Sequence, residues 1–210
     1  MLKVKKCGIV IVFLFCISFI LSGCEKSEEN TMEKIQKQLT EMESCKCTAS
    51  LTRFSNKGEK TYEVKQLCKT DGKYRLEITS PERMKGNFTV FDGEEILQYN
   101  ARTGETFNLS VPEAKNGDEL FFCSFVKNYL QSENVVADTA VNLDESRCTM
   151  LEAVIPGGNR YVSTEKVWID NETLKPLKFI IYDIDGNERY AITYNEFEYN
   201  PETDDSDFRV

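Results

Sequence analysis

The chain has 210 residues, with 26 Lys and Arg against 35 Asp and Glu and a formal net charge of −9. A chain this acidic lacks the Lys/Arg face that phosphate contacts need, which argues against nucleic acid, and anionic headgroups would repel it unless something holds it there. Histidine is absent, so Cys–His and Ser–His–Asp nucleophile systems and His-bearing zinc sites are excluded within the chain.

The N-terminus carries Lys3, Lys5 and Lys6, then an uncharged apolar run from Cys7 to Leu21, closed by Leu21-Ser22-Gly23-Cys24. A basic start, an apolar centre and small residues before a cleavage point read as an export signal over 1–23. The run is shorter than the ~20 residues a spanning helix needs. The closing tetrad resembles the lipobox of bacterial lipoproteins, in which a diacylglycerol is attached to the Cys sulfur and cleavage leaves that Cys as the first residue. Cys24 is accordingly expected to be the lipidated membrane anchor. An uncleaved anchor and a secreted chain with a chance Cys are the alternatives. No later run reaches spanning length. The mature chain is therefore placed on the extracytoplasmic face, and loss of a signal with three Lys and no acids makes it still more acidic.

Residues 24–30 read as an acidic tether. From 31 to 210 the pattern is that of one domain with no linker and no repeat. Thr31 to Glu43 predicts a helix with Met32, Ile35, Leu39 and Met42 on one face and Thr31 as its cap. Strands follow: alternation over Thr48–Arg53, a turn at Lys57-Gly58, Thr61–Thr70, a turn at Asp71-Gly72, then Lys73–Ile78. Pro81 interrupts, Asn87–Phe91 resumes, Asp92-Gly93 turns into Glu95–Asn100, and Thr103-Gly104 precedes Thr106–Leu109. Helical periodicity returns over 116–131 through Leu120, Phe121, Phe125, Val126, Tyr129 and Leu130. The rest is strand: Val135–Leu143, Arg147–Ile155, a Pro156-Gly157-Gly158 turn, Tyr161–Ile169, Lys175–Tyr182 and Glu188–Tyr199, before an acidic tail. Ten or eleven antiparallel strands with two helices must curl to bury an apolar face. The expected fold is mainly β (α+β), a curved antiparallel half-barrel with the helices covering its concave face.

Cys7 and Cys16 leave with the signal. The domain keeps Cys45, Cys47, Cys68, Cys123 and Cys148. Cys45-Lys46-Cys47 is too close for a zinc knuckle. A hairpin turning at Asn56-Lys57-Gly58-Glu59 opposes Cys47 to Cys68, which makes that pair the disulfide with a geometric argument, worth about 3 kcal/mol. The alternative is that these cysteines are small buried hydrophobes. Asp170 reads as a turn cap. Asp204, Asp205 and Asp207 lack the Gly and terminal Glu of a calcium loop. Glu94, Glu95 and Glu133 have no spacing that ties an acid to a base. No catalytic residue, metal or cofactor is expected, and the chain is read as a non-enzyme. Phe121, Phe122 and Phe125 are either a lid over a ligand or the underside of a packed helix.

Two stretches carry a resemblance. Val167-Trp168-Ile169-Asp170-Asn171-Glu172-Thr173-Leu174-Lys175-Pro176-Leu177-Lys178 resembles a signature of the lipoprotein-carrier superfamily typified by LolA and LolB, a strand ending in Asp, a turn, and Pro-Leu opening the next strand. The ending from Phe197 to Phe208, with Asn200, Pro201, Asp204, Asp205 and Phe208, resembles that superfamily's last strand and tail. The lipobox, the domain length and the His-free, Lys/Glu/Asn-rich composition are similar to the GerS-type spore-germination lipoproteins of clostridia. That resemblance implies a spore membrane and a partner, a cortex-directed N-acetylmuramoyl-L-alanine amidase that the lipoprotein activates. The superfamily implies an alternative, a carrier or receptor for lipid or lipoprotein acyl chains in the concave face. Long antiparallel edges also invite strand exchange into a homodimer.

Overall fold

The computed structural model describes residues 25–109 and 117–209, with side chains from Asn30 onward. The signal, Cys24 and residues 110–116 lie outside the described residues. Helix α1 (Glu25–Thr40) leads into strands β1 (Ser44–Ser55), β2 (Gly58–Lys69), β3 (Tyr74–Ser80), β4 (Phe88–Phe91), β5 (Ile96–Asn100) and β6 (Glu105–Leu109). Helix α2 (Phe122–Gln131) then precedes β7 (Val136–Leu143), β8 (Ser146–Asn159), β9 (Val162–Asp170), β10 (Pro176–Tyr182) and β11 (Glu188–Tyr199). All eleven strands form one open sheet in the order β6-β5-β4-β3-β2-β1-β11-β10-β9-β8-β7. Every ladder is antiparallel, and the two meanders join where β1 pairs β11.

Period-two alternation decides which face is buried. Cys45, Cys47, Ala49 and Leu51 of β1, Val64, Gln66 and Cys68 of β2, and Val167 and Ile169 of β9 all point to one side. Lys46, Thr48, Lys65 and Lys166 take the other. In β11 the phase is shifted by a bulge: Thr48 pairs Glu196 and Ala49 pairs Tyr194, which leaves Asn195 without a partner. The extra residue lets Tyr194 and Phe197 both face the core. Both helices cover that same face. Ile35 and Leu39 of α1 and Phe122, Phe125 and Val126 of α2 belong to one cluster with the inward residues of the sheet.

Four local expectations are corrected. Helix α1 begins at Glu25, so Thr31 lies inside it rather than capping it, and it ends at Thr40. Pro156-Gly157-Gly158 is not the reversal. Strand β8 runs through it to Asn159, and the chain turns at Arg160-Tyr161. Gly158 has no room for a side chain there, since a Cβ would stand 2.6 Å from the Val162 carbonyl oxygen. Helix α2 starts later than 116, after a short 3₁₀ turn over Asp118–Leu120. Finally, the first hairpin has a two-residue loop, Asn56-Lys57, with Ser55 opposite Gly58. This register places Cys68 opposite Cys45 and Gln66 opposite Cys47, not Cys47 opposite Cys68.

Candidate functional site

Helix α2 packs on the buried face of the sheet, mainly against β8 and also against β1 and β2. Phe121, Phe122 and Phe125 are part of the core. Phe122 sits edge-on to Phe197 at 5.2 Å and to Tyr194 at 6.3 Å, and Phe125 meets Phe179 at 5.8 Å. These aromatics are the packed underside of the helix. Beside them, between strands β1–β5 and the 117–121 segment, is an apolar cavity of about 470 Å³. Leu51, Val64, Leu76, Ile78, Ile96 and Leu120 line it, with Arg53 and Gln98 among its polar groups. Its size is within the range of small-molecule sites.

The C-terminal tail folds against β3 on the opposite face. Asp204 caps the turn Asp205–Phe208 by accepting from the Ser206 backbone N–H, and Asp207 accepts from the Asp204 N–H. The Lys73 ammonium donates to Asp205 at 2.9 Å and holds that carboxyl below its ordinary range. Arg75 donates to the Arg209 carbonyl at 3.0 Å, and Phe208 is buried. Beneath the tail lies a groove of about 860 Å³ with mixed charge, lined by Lys46, Lys65, Glu77, Glu196 and Glu198 among others. The acidic cluster is thus occupied in holding the tail down. Asp170 does what a turn cap does: its Oδ1 accepts from the Glu172 and Thr173 backbone N–H groups and the Thr173 hydroxyl.

Among the described residues β6 pairs only with β5 and β7 only with β8, so both are edge strands with no strand partner there on their outer side. Every residue of β6 is exposed, Phe107 and Leu109 included, and Val135 and Val136 are exposed at the other edge. A further apolar patch is built from hairpin tips: the Ile184 N–H donates to the Arg160 carbonyl, bringing exposed Ile184 beside exposed Tyr161, whose ring lies under Arg160 and Arg189. Exposed edges and apolar patches of this kind are what protein partners use.

Glu94, Glu95 and Glu133 are dispersed and exposed. The backbone N–H groups of Glu94 and Glu95 donate to Asp92, and Glu95 accepts from Asn108. The acid that sequence reasoning missed is Glu165. It is fully buried on β9; Asn128 of α2 donates to its Oε1 at 2.8 Å, and Oε2 has no partner. Burial pushes this carboxyl up to about 8 against the opposing Asn128 bond. The signal was available, because Glu165 is in phase with inward Val167 and Ile169. Cys47 lies 3.5 Å from the Gln66 amide oxygen, whereas Cys68 clusters with Cys45 and Cys123. Among the described residues no helix is long and apolar enough to cross a membrane.

The sporulation protein YdcC-like family matches residues 4–208, nearly the whole chain. The chain belongs to this family. Its fold is similar to a chain in the structure of the CwlD amidase from Clostridioides difficile in complex with the GerS lipoprotein, at 29% identity and a TM-score of 0.50 over 82% of this chain and 95% of that one. An uncharacterized conserved protein from Thermus thermophilus matches at 16% identity and a TM-score of 0.50, covering 83% of this chain and 88% of that one. A LolA superfamily protein from Nitrosomonas europaea matches at 14% identity and a TM-score of 0.47, covering 87% and 97%. No curated protein matches. The chain is a sporulation-family member whose described residues form an open antiparallel sheet of eleven strands with two α-helices, as the resemblance implied.

Proposed function

We propose that this YdcC-like chain is a membrane-anchored extracytoplasmic lipoprotein with no catalysis of its own, which binds and activates an N-acetylmuramoyl-L-alanine amidase acting on the spore cortex. One observation carries the reading: 29% identity over 82% of the chain to a structure of an amidase in complex with a lipoprotein. Three others support it. The absence of His and the scatter of carboxylates leave no assembled acid–base pair among the described residues. The two edge strands and the Tyr161–Ile184 patch offer docking surface. The sequence Leu21-Ser22-Gly23-Cys24 supplies an acylation site that would keep the protein at the membrane. Size-exclusion chromatography of the purified chain with the amidase of the same organism tests the pairing. Co-elution as a stable complex, with more than about 1,000 Å² buried, is expected. Separate elution at micromolar concentrations of both would reject it.

The cavity of about 470 Å³ favours a second reading, a carrier or receptor for acyl chains. Solvent extraction and mass spectrometry of the purified chain distinguish the two. Stoichiometric lipid without amidase binding would move the assignment to the carrier class.

A further inference from the structure

The hairpin register and helix α2 bring three thiols together in the core. Cys45 and Cys68 face each other across β1 and β2 with their Sγ atoms 3.3 Å apart. Cys123, in the first turn of α2, places its Sγ 2.8 Å from that of Cys68 and 3.9 Å from that of Cys45. All three are buried, but Cys68 and Cys123 form the floor of a small surface dent whose rim carries Lys69, Lys73 and Lys127. The phenol of Tyr194 is buried beside the cluster without a hydrogen-bond partner.

We propose that Cys68 and Cys123 are a redox pair, forming a disulfide that ties α2 to the sheet, with Cys45 placed to exchange into it. Geometry supports a bond: a disulfide needs about 2.05 Å between sulfurs, so this pair has less than an ångström to close. Charge argues for a disulfide over a metal site. Three thiolates around a divalent ion would leave net negative charge in an apolar core, and rim residues Lys69 and Lys73 are already paired with Asp71 and Asp205. Structural zinc also wants a fourth ligand: Cys47 is engaged with Gln66, and Asp118, which lines the same dent, would add a further negative charge. A disulfide is neutral. Geometry makes Cys68 the central sulfur, 2.8 Å from Cys123 and 3.3 Å from Cys45, so it can bond to either. Burial and the Asp118 carboxylate oppose its ionisation, while hydrogen bonds from the Cys123 and Cys45 thiols and the Cys123 backbone N–H favour it and bring it well below an ordinary thiol. Cys123 and Cys45 stay above the ordinary value.

The oxidant is an external disulfide. The Cys68 thiolate attacks one of its sulfurs, forming a mixed disulfide and expelling one thiol. Cys123 then loses its proton and attacks the Cys68 sulfur, expelling the second. Two protein thiols are oxidised and one external disulfide is reduced to two thiols.

The test exposes the purified chain to oxidised glutathione, once folded and once during refolding from urea. Tryptic mapping without reductant follows; Lys46 lets trypsin separate Cys45 from Cys47. A Cys68–Cys123 linked peptide in either arm, a loss of two titratable thiols and a melting temperature raised by roughly 5–10 °C over the reduced protein are expected. Cys45→Ser should keep that link, Cys123→Ser should move it to Cys45–Cys68, and Cys68→Ala should abolish both. No link in either arm, a link from Cys47 to Cys68, or one bound equivalent of Zn(II) or Cu(I) shielding all three thiols from alkylation would overturn the proposal. None of these readouts depends on amidase binding.

Discussion

Replacing Glu165 by Gln should remove a pH dependence that the wild-type fold carries. The side chain is fully buried, with one oxygen bonded to Asn128 and the other unpartnered. Burial, with Asp118 adding to it, raises the carboxyl from 4.5 to about 8. A folded state with a raised acid keeps a proton that the unfolded chain releases. The fold is therefore favoured fully below the unfolded value and loses stability as pH rises through 4.5 towards 8. Over pH 5 to 8 this loss amounts to about 3–4 kcal/mol. Gln cannot ionise, keeps an acceptor for Asn128 and has nearly the same volume, so its own offset should be constant with pH. Urea denaturation followed by circular dichroism at pH 5, 6.5 and 8 would give the difference between the two proteins. A difference growing in favour of Glu165→Gln by several kcal/mol is expected. Curves that stay parallel within about 0.5 kcal/mol would refute the burial argument.

Phe125→Ala removes a fully buried ring packed on Phe179 and Tyr129; it should cost about 3–5 kcal/mol and lower the melting temperature by roughly 10 °C in calorimetry. A loss under about 1 kcal/mol would mean that α2 is a loose lid and not part of the core. Cys24→Ala should abolish metabolic lipid labelling and shift the protein out of the detergent phase; equal labelling of both proteins would remove the anchor from the account.

The strand pattern was legible because alternation is local. Thr48–Arg53 or Glu188–Tyr199 can be read from consecutive residues alone. Phase survived even where pairing did not: shifting the first hairpin by two residues kept Cys47 and Cys68 on the same face while changing their partners. The loop length that sets the register is a matter of one turn, and Lys57-Gly58 marks the turn without counting its residues. Reading Pro156-Gly157-Gly158 as a reversal failed because Gly158 serves a close backbone approach inside a continuing strand. Thr31 looked like a cap, but Glu25, Lys26, Glu28 and Glu29 are good helix formers and carry the helix ahead of it. The thiol cluster could not be read at all, since it depends on where Cys123 lands after a stretch of chain that has no periodic tie to β1 or β2. Glu165 was readable from its phase, and the unusual feature was only that the inward residue is an acid.

Amidase turnover on cortex-type peptidoglycan, measured with and without the purified chain, tests the central claim most directly. The account predicts a several-fold rise in amidase activity that saturates near one chain per amidase and no hydrolysis by the chain alone. Unchanged amidase activity at saturating chain, or hydrolysis by the chain without amidase, would contradict it.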